Sequence, residues 1–190
     1  MTRKLVITVI GKSERNPSDP VPARALRAGE EVGKLLAERG AVVVTGGLSG
    51  VMEAASRGAK RANGLVIGML PGFKKDDANK YVDVAITTGM GWMRNTLVVR
   101  AADAVIMISG GIGTLNELTV AYEDKPTVVL EGTGGWSDRI REIAYQGKHL
   151  DEAGINEIRF AKTPAEAVDI ALALAPGGET GKTIEREFRS

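Results

Sequence analysis

The sequence predicts an α/β protein with a doubly wound parallel sheet of about seven strands flanked by helices. Three observations lead to this fold class. Short apolar runs alternate with longer segments that have helical character, the turns between them are short, and many of those turns contain glycine. Continuous apolar runs are typical of parallel strands, because helices cover both faces of such a sheet.

The N-terminal half alternates strands and helices. The first helix carries an apolar stripe that includes Val32 and Leu36, and Gly40 stops it. The predicted strands are the runs 5–10, 41–44, 65–70 and, with weak alternation, 82–87. The predicted helices are 23–39, 51–61 and 93–102, and the predicted loops are 11–22 and 73–81.

The C-terminal half continues the alternation. Ser137 can cap a helix that runs to about Gln146. The final helix opens with Thr163-Pro164-Ala165-Glu166, a capping box with proline at the first helical position. Further strands are predicted at 104–108, 127–130 and 158–160, and further helices from Leu115 and over 164–174. We therefore predict one Rossmann-like domain over residues 1–175 and a polar C-terminal tail over 176–190.

Composition excludes several classes of function. The formal net charge of +1 gives no electrostatic case for a nucleic acid or membrane partner. The absence of cysteine excludes disulfides and thiolate catalysis, and His149 alone cannot build a histidine metal site, so no metal site is predicted. No apolar run reaches the roughly 18 residues of a membrane span, and the N-terminus lacks a signal-peptide cleavage pattern. A cytoplasmic location is expected.

The turn after the apolar run 104–108 has the strongest signal for ligand binding. Its glycines let the backbone approach a ligand, and the free amides at the start of the next helix attract an anion. Glu117 follows one turn into that helix as a carboxylate beside the anion site. The alternative is that Thr114 and Glu117 form a capping box that only stabilises the helix start. The predicted phosphate-binding residues of this turn are Gly110, Gly111, Gly113 and Thr114.

Two other turns belong to the same edge of the predicted sheet, where ligands of doubly wound folds bind. The turn 45–50 is predicted to bind the ligand, with plain packing of strand on helix as the alternative. Arg94 opens a helix after the turn 88–92 and can pair with a phosphate or with Glu117, with ordinary exposure as the alternative. Trp92 and Met93 can wall a pocket for a planar base or belong to the core. The additional predicted binding residues are Gly46, Gly47, Gly50 and Asn95.

Two apparent phosphate loops are rejected. Gly11-Lys12-Ser13 follows a strand, yet Val6 stands where such a loop requires its first glycine. Gly181-Lys182-Thr183 fails likewise, because Pro176 occupies that place. The Gly-x-Gly-x-x-Gly spacing of dinucleotide-binding proteins is absent from both glycine-rich turns.

These motifs together resemble the Lonely Guy-like superfamily, over roughly residues 5–173. This superfamily includes cytokinin-activating nucleotide phosphoribohydrolases, bacterial proteins mislabelled lysine decarboxylases, and molybdenum cofactor carrier proteins. The resemblance rests on Thr45-Gly46-Gly47-x-x-Gly50-Val51-Met52-Glu53, on Arg94-Asn95 and on Gly110-Gly111-x-Gly113-Thr114-x-x-Glu117. It implies a homodimer or homotetramer that takes a small phosphorylated ligand such as AMP and requires no cofactor.

The resemblance leaves two main functions open. The protein is either a nucleoside 5′-monophosphate phosphoribohydrolase or a non-enzymatic carrier of molybdenum cofactor or another phosphorylated ligand. In the first, Glu117 would stabilise oxocarbenium character on the ribose or orient the attacking water, and Arg94 would hold Glu117 ionised. The hydrolase branch has proline, lysine and histidine where this chain has Ser109, Asn95 and Trp92, and the missing lysine and histidine favour the carrier. Arg94 and Glu117 remain, so the prediction leans to nucleotide binding with N-glycosidic hydrolase activity and not to a lysine decarboxylase. A ligand-sensing or purely structural homo-oligomer is a third possibility.

Overall fold

A computed structural model describes residues 3–14 and 18–176, and these residues form one seven-stranded sheet. The strands are β1 (Val6–Gly11), β2 (Val42–Thr45), β3 (Val66–Leu70), β4 (Val84–Thr87), β5 (Ala104–Ile108), β6 (Thr127–Leu130) and β7 (Ile158–Ala161). Every pairing is parallel, in the order β4-β3-β2-β1-β5-β6-β7. The predicted α/β, doubly wound parallel fold is confirmed.

The helices divide between the two faces of the sheet. They are α1 (Ala23–Glu38), α2 (Val51–Arg61), α3 (Asn95–Arg100), α4 (Ile112–Asp124), α5 (Ile140–Ile143) and α6 (Pro164–Leu174). One core joins α1, α2 and α6 to strand residues such as Ile7 and Ile106. The other joins α3, α4 and α5 to residues such as Ile10 and Met107. Successive strand residues thus enter opposite cores, which explains why the strands are continuously apolar.

The chain reverses direction across the sheet next to β1. From β1 it adds β2, β3 and β4 on one side, then returns to place β5 on the other side, with Gly11 opposite Ile108 at the carboxyl end of the pair. A crevice forms at such a reversal, because the connections leaving the two neighbouring strands diverge. The fold therefore forms a crevice between β1 and β5, at the edge where ligands of doubly wound folds bind.

The predicted helix over 137–146 is wrong in extent. Residues Gly135–Asp138 form a 3-10 turn, and α5 is a single turn that ends at Ile143. The Ser137 hydroxyl donates to the Ser109 carbonyl, 2.9 Å away, and caps no helix. Tyr145 then pairs with His149 in an antiparallel bridge, so the chain turns back where the prediction extends the helix.

Other boundaries differ less. A 3-10 turn at Gly91–Arg94 precedes α3, which is shorter than the predicted 93–102. The predicted cap of the last helix is confirmed, since the Thr163 hydroxyl accepts from the Glu166 amide at 3.2 Å. Residues 177–190, which make up nearly all of the predicted tail and include Gly181-Lys182-Thr183, lie outside the described residues. No helix in the described ranges has the length and apolar character needed to cross a membrane.

Candidate functional site

A cavity of about 170 Å³ lies at the carboxyl ends of β1 and β5, where the chain reverses across the sheet. We call it the main hollow. The segment after β1, the start of α3 and the first two turns of α4 all contribute to its wall. Six of the predicted site residues line it, namely Arg94, Asn95, Gly111, Gly113, Thr114 and Glu117.

Arg94 and Glu117 form a buried ion pair in the wall of the main hollow. Nη1 of Arg94 lies 3.3 Å from Oε1 of Glu117, and the two residues are only 4% and 7% exposed. The alternative of an exposed Arg94 is therefore wrong. Nη1 also donates to the Asn95 side-chain oxygen at 2.7 Å, and Nη2 to the Gly46 carbonyl at 3.5 Å. These contacts fix the guanidinium, so the carboxylate is held in one position at the hollow.

Asn95 connects the arginine to α4. Its amide nitrogen donates to the side-chain oxygen of Asn116, 3.0 Å away, while its oxygen accepts from Arg94. Both functions of the amide are thus engaged within the protein. Asn95 acts as a bridge between α3 and α4, and it keeps Arg94 and Glu117 in register.

The start of α4 presents backbone amides to the main hollow. Gly111 is the N-cap, in extended conformation, and no side chain caps the helix. The helix begins at Ile112, three residues before the predicted start, so Thr114 lies inside its first turn. The capping-box alternative is wrong, because Thr114 does not hold the N-cap position. Amides of a first helical turn have no partner four residues earlier and suit an anion.

Gly46 and Gly47 leave space for side chains that pack beside the main hollow. A Cβ at Gly46 would lie 2.6 Å from Nη2 of Arg94 and 2.7 Å from the Met52 sulfur, so only glycine leaves room for the guanidinium. A Cβ at Gly47 would meet a Leu70 methyl at 2.8 Å. The structure therefore gives both glycines a role in seating Arg94 and the turn after β2.

Gly50 and Gly110 allow close approach between loops. Gly50 has a φ of +73°, and a Cβ there would strike the Lys12 carbonyl. Gly110 has a φ of +123°, and a Cβ would lie 2.8 Å from the Thr114 side chain. Both positions need glycine for the backbone conformation itself. They shape the loops that carry the lining residues.

Sequence reasoning missed the segment after β1. Lys12, Ser13 and Asp19 line the main hollow, although Gly11-Lys12-Ser13 is no phosphate loop. The Lys12 ammonium pairs with the Asp19 carboxylate, and the two side chains are 17% and 72% exposed. The Lys12 carbonyl accepts from the Val51 amide at 3.0 Å, which ties this segment to α2. The signal that points to Lys12 is its position directly after the central strand β1.

A second cavity, of about 380 Å³, adjoins the first, and we call it the side hollow. Trp92, Asn95, Ile112 and Gly113 line both cavities. Trp92 and Met93 are 57% and 70% exposed, so the alternative that they belong to the core is wrong. The Trp92 ring packs on Gly113, where a Cβ would lie 3.2 Å from Cζ3.

The backbone at Ser109 explains one departure from the hydrolase motif. Ser109 has a φ of +58°, and its amide donates to the Thr133 hydroxyl at 2.8 Å. Proline has φ near −65° and no amide hydrogen, so it fits neither condition. The turn before α4 therefore has a backbone conformation that proline could not adopt. The Ser109 carbonyl accepts from the Ser137 amide at 3.2 Å and from the Ser137 hydroxyl.

The chain is similar to solved structures and to curated proteins, and the names of some of these state a function. The molybdenum cofactor binding protein of Rippkaea orientalis is 33% identical with a TM-score of 0.75, over 90% of this chain and 96% of its own. A structural-genomics target is 42% identical with a TM-score of 0.80, over 87% of this chain and 97% of its own. The cytokinin riboside 5′-monophosphate phosphoribohydrolase of Mycobacterium tuberculosis is 32% identical over 67% of this chain and 77% of its own.

These likenesses agree with the resemblance found in the motifs, and they cover both branches of it. The family assignment rests on a match that spans most of the chain, from the residues before β1 into α6. The model of the SLOG cluster4 family matches residues 4–168, and the chain belongs to that family.

Proposed function

We propose that the main hollow binds the phosphate of a nucleoside 5′-monophosphate, and that Glu117 serves hydrolysis of the N-glycosidic bond. The observation that carries this proposal is the buried Arg94–Glu117 pair beside the uncapped start of α4. The name of the mycobacterial relative supports a ligand of this class. The molybdenum cofactor binding protein supports a small phosphorylated ligand in general.

The phosphate is held by the first amides of α4, with the Thr114 hydroxyl beside them. Lys12, in the segment after β1, adds a positive charge to the wall of the main hollow. Its pair with Asp19 is weak, because an ion pair with one partner largely in water contributes at most about 1 kcal/mol. The ammonium can therefore exchange the carboxylate for a phosphate oxygen at little cost.

Glu117 acts on the ribose. As the bond from C1′ to the base nitrogen breaks, positive charge develops on C1′ and the ring oxygen, and the carboxylate stabilises that charge. Water attacks C1′ and gives up one proton to solvent, and the departing base nitrogen takes up one proton from solvent, so the net reaction moves one proton from water to the base. The products are the free base and ribose 5-phosphate. Arg94 holds the carboxylate in place and prevents it from turning away from the sugar.

A second candidate function is carriage of a phosphorylated ligand without turnover, with molybdenum cofactor as the ligand. The observation that favours it is the chemistry at three positions. Asn95 has both functions of its amide engaged within the protein, Trp92 supplies no proton, and Ser109 gives the turn a path that proline cannot follow. The same amides of α4 would hold the phosphate of a carried ligand.

Incubation with AMP tests the proposal, with adenine and ribose 5-phosphate measured by chromatography. We expect the parent chain to release adenine, and Glu117→Gln to lower the rate by about 100-fold or more while AMP still binds. Glu123→Gln is the matched control, because Glu123 is an exposed carboxylate near the other end of α4.

Each outcome points to one function. Full hydrolysis by Glu117→Gln contradicts the mechanism even if the activity is real. Absence of adenine, together with protection from thermal unfolding by a phosphorylated pterin, establishes the carrier. Absence of both adenine and ligand protection contradicts a ligand-binding role for the main hollow.

We also propose that the protein is a homodimer or homotetramer. Val84 and Ile86 on the edge strand β4 are exposed and lie beside Ile67 and Met69 of β3 on one face of the sheet, and Leu97 of α3 is exposed as well. A strip of this kind marks a contact surface. Sedimentation of the parent and of Leu97→Glu tests the proposal: we expect an oligomer that the glutamate dissociates, and a monomeric parent contradicts it.

A further inference from the structure

We propose that the side hollow binds the planar heterocycle of the ligand, with the Trp92 indole as its stacking surface. The ligand class is a fused two-ring nitrogen heterocycle that carries a phosphate, whether purine nucleotide or phosphorylated pterin. The inference rests on the proposed function, because it assumes that the phosphate lies in the main hollow at the start of α4.

The sizes of the two cavities require a ligand to extend beyond the main hollow. Pockets for small molecules are commonly about 300–1,000 Å³. The main hollow, at about 170 Å³, holds a phosphate and part of a sugar but not a complete nucleotide. The side hollow, at about 380 Å³, lies within the usual range and shares part of its wall with the first. A nucleotide anchored at α4 would therefore place its heterocycle in the side hollow, which is the neighbouring cavity of sufficient size.

Trp92 belongs to the wall that the two cavities share. It lines both of them, and its ring packs against the bare Cα of Gly113 at the first turn of α4. The indole is thus supported on one side by backbone, while more than half of the residue is exposed. An aromatic ring that is held in place and partly open to solvent offers a surface on which a heterocycle stacks.

The rest of the side hollow supplies apolar surface and polar groups suited to such a ring. Met93 and Ile112 are 70% and 72% exposed, so a ring covering them would remove apolar surface from water. Asn116 also lines the cavity, and its side-chain oxygen accepts from Asn95. That bond orients the Asn116 amide and does not use its nitrogen, which can donate to a ring nitrogen or carbonyl.

Tryptophan fluorescence tests the inference directly, because the chain has only two tryptophans. Trp136→Phe leaves Trp92 as the single indole, and Trp136 does not line either cavity. AMP, a pterin phosphate ester and ribose 5-phosphate are each titrated into this variant. Repeating the AMP titration with Glu117→Gln added excludes hydrolysis as the source of the signal.

We expect AMP or the pterin ester to quench Trp92 emission and to bind about tenfold more tightly than ribose 5-phosphate, which cannot stack. Whichever of AMP and the pterin ester binds more tightly identifies the heterocycle. Trp92→Leu, measured by calorimetry, should remove that advantage and leave the affinity for ribose 5-phosphate within about twofold, because the amides of α4 and Lys12, which are proposed to hold the phosphate, are unchanged.

Three results would overturn the inference, and they differ in whether they also contradict the proposed phosphate site. Equal binding of AMP, the pterin ester and ribose 5-phosphate, with unchanged emission, removes the stacking role and preserves the phosphate site. Emission that follows protein concentration and ignores ligand shows that a second copy covers the side hollow. Failure of all three compounds to bind contradicts the proposed function together with this inference.

Discussion

The Arg94 guanidinium and the Glu117 carboxylate are joined at 3.3 Å, and both side chains are more than nine-tenths buried. Arg94 reaches this position from the turn before α3, and Glu117 from the second turn of α4. Burial limits how far water can solvate either charge, so each charge stabilises the other. The pair therefore links the stability of the fold to the arrangement of the site.

Replacing one member of this pair should destabilise the protein more than replacing both. We expect Arg94→Leu to lower the free energy of unfolding by about 3 kcal/mol, because it leaves a buried carboxylate without its counter-charge. Adding Glu117→Leu should restore most of that loss. Urea denaturation followed by circular dichroism measures both values. If the loss of unfolding free energy in the double variant equals the sum of the losses in the two single variants, the two groups are not strongly coupled.

Lys12 should determine affinity for the phosphate. We expect Lys12→Met to weaken binding of ribose 5-phosphate by about tenfold, the loss of one charge-assisted hydrogen bond of roughly 1.5 kcal/mol. Asp19→Asn should strengthen binding, because it frees the ammonium from its intramolecular partner. Calorimetry at low and high salt measures both effects. Equal affinity in all three chains would remove Lys12 from the binding site.

Ser109 should be a site where glycine stabilises the protein. Its φ of +58° is unfavourable for a residue with a Cβ, and its buried hydroxyl has no hydrogen-bond partner within the described part of the chain. We expect Ser109→Gly to raise stability by about 1 kcal/mol, which shifts the melting temperature by roughly 2–4 °C. Ser109→Ala separates the two causes, because it removes the hydroxyl and keeps the Cβ. A lower melting temperature for Ser109→Gly would contradict the backbone explanation.

Asp103 should contribute to stability only above strongly acidic pH. Burial alone would raise the pKa of Asp103, but hydrogen bonds from Arg3 at 2.6 and 2.7 Å and from the Val6 amide at 2.9 Å outweigh it, and the net pKa is lowered. A carboxyl group with a lowered pKa in the folded state stabilises the protein above its unfolded pKa, near 4. That contribution is lost as the pH falls through the lower, folded pKa.

Acid titration of Asp103→Asn checks this expectation. The variant should be less stable than the parent at neutral pH, and the difference should shrink steadily below about pH 4. Arg3→Met should show the same trend with a smaller change, because the Val6 amide still donates to the carboxylate. A difference that stays constant from neutral pH to pH 2 would show that Asp103 acts without ionisation.

Much of the fold follows from the sequence because its signals are local. The β-branched runs fix each strand, and parallel strands end at one edge, so Arg94 and Glu117 can be assigned to a common site from the chain alone. Their burial cannot, because it depends on Gly46 leaving space for a guanidinium more than forty residues away. Spacing within a motif carries no information about such a contact.

The errors have the same origin. Ser137 is of a residue type that often caps helices, but its hydroxyl donates a hydrogen bond to the distant Ser109 carbonyl instead. Lys12 lies in no recognisable motif and reaches the site because β1 neighbours β5 in space. Trp92 is of a residue type that is often found in the core, but its ring packs on Gly113 and stays at the surface. Each of these outcomes is decided by tertiary contacts.

The pairing of β1 with β5 has a consequence for how the protein matures. β1 is synthesised before β5 and α4, although Ile7 of β1 lies opposite Ala104 of β5 in the sheet. A nascent chain that stops before α4 therefore contains Lys12 but has no partner wall for it. A ligand that binds the completed crevice contacts both the segment after β1 and the start of α4. It increases the stability of the folded chain in proportion to the logarithm of the ligand concentration. Under the proposed function, we therefore expect the ligand to slow proteolysis of the completed chain.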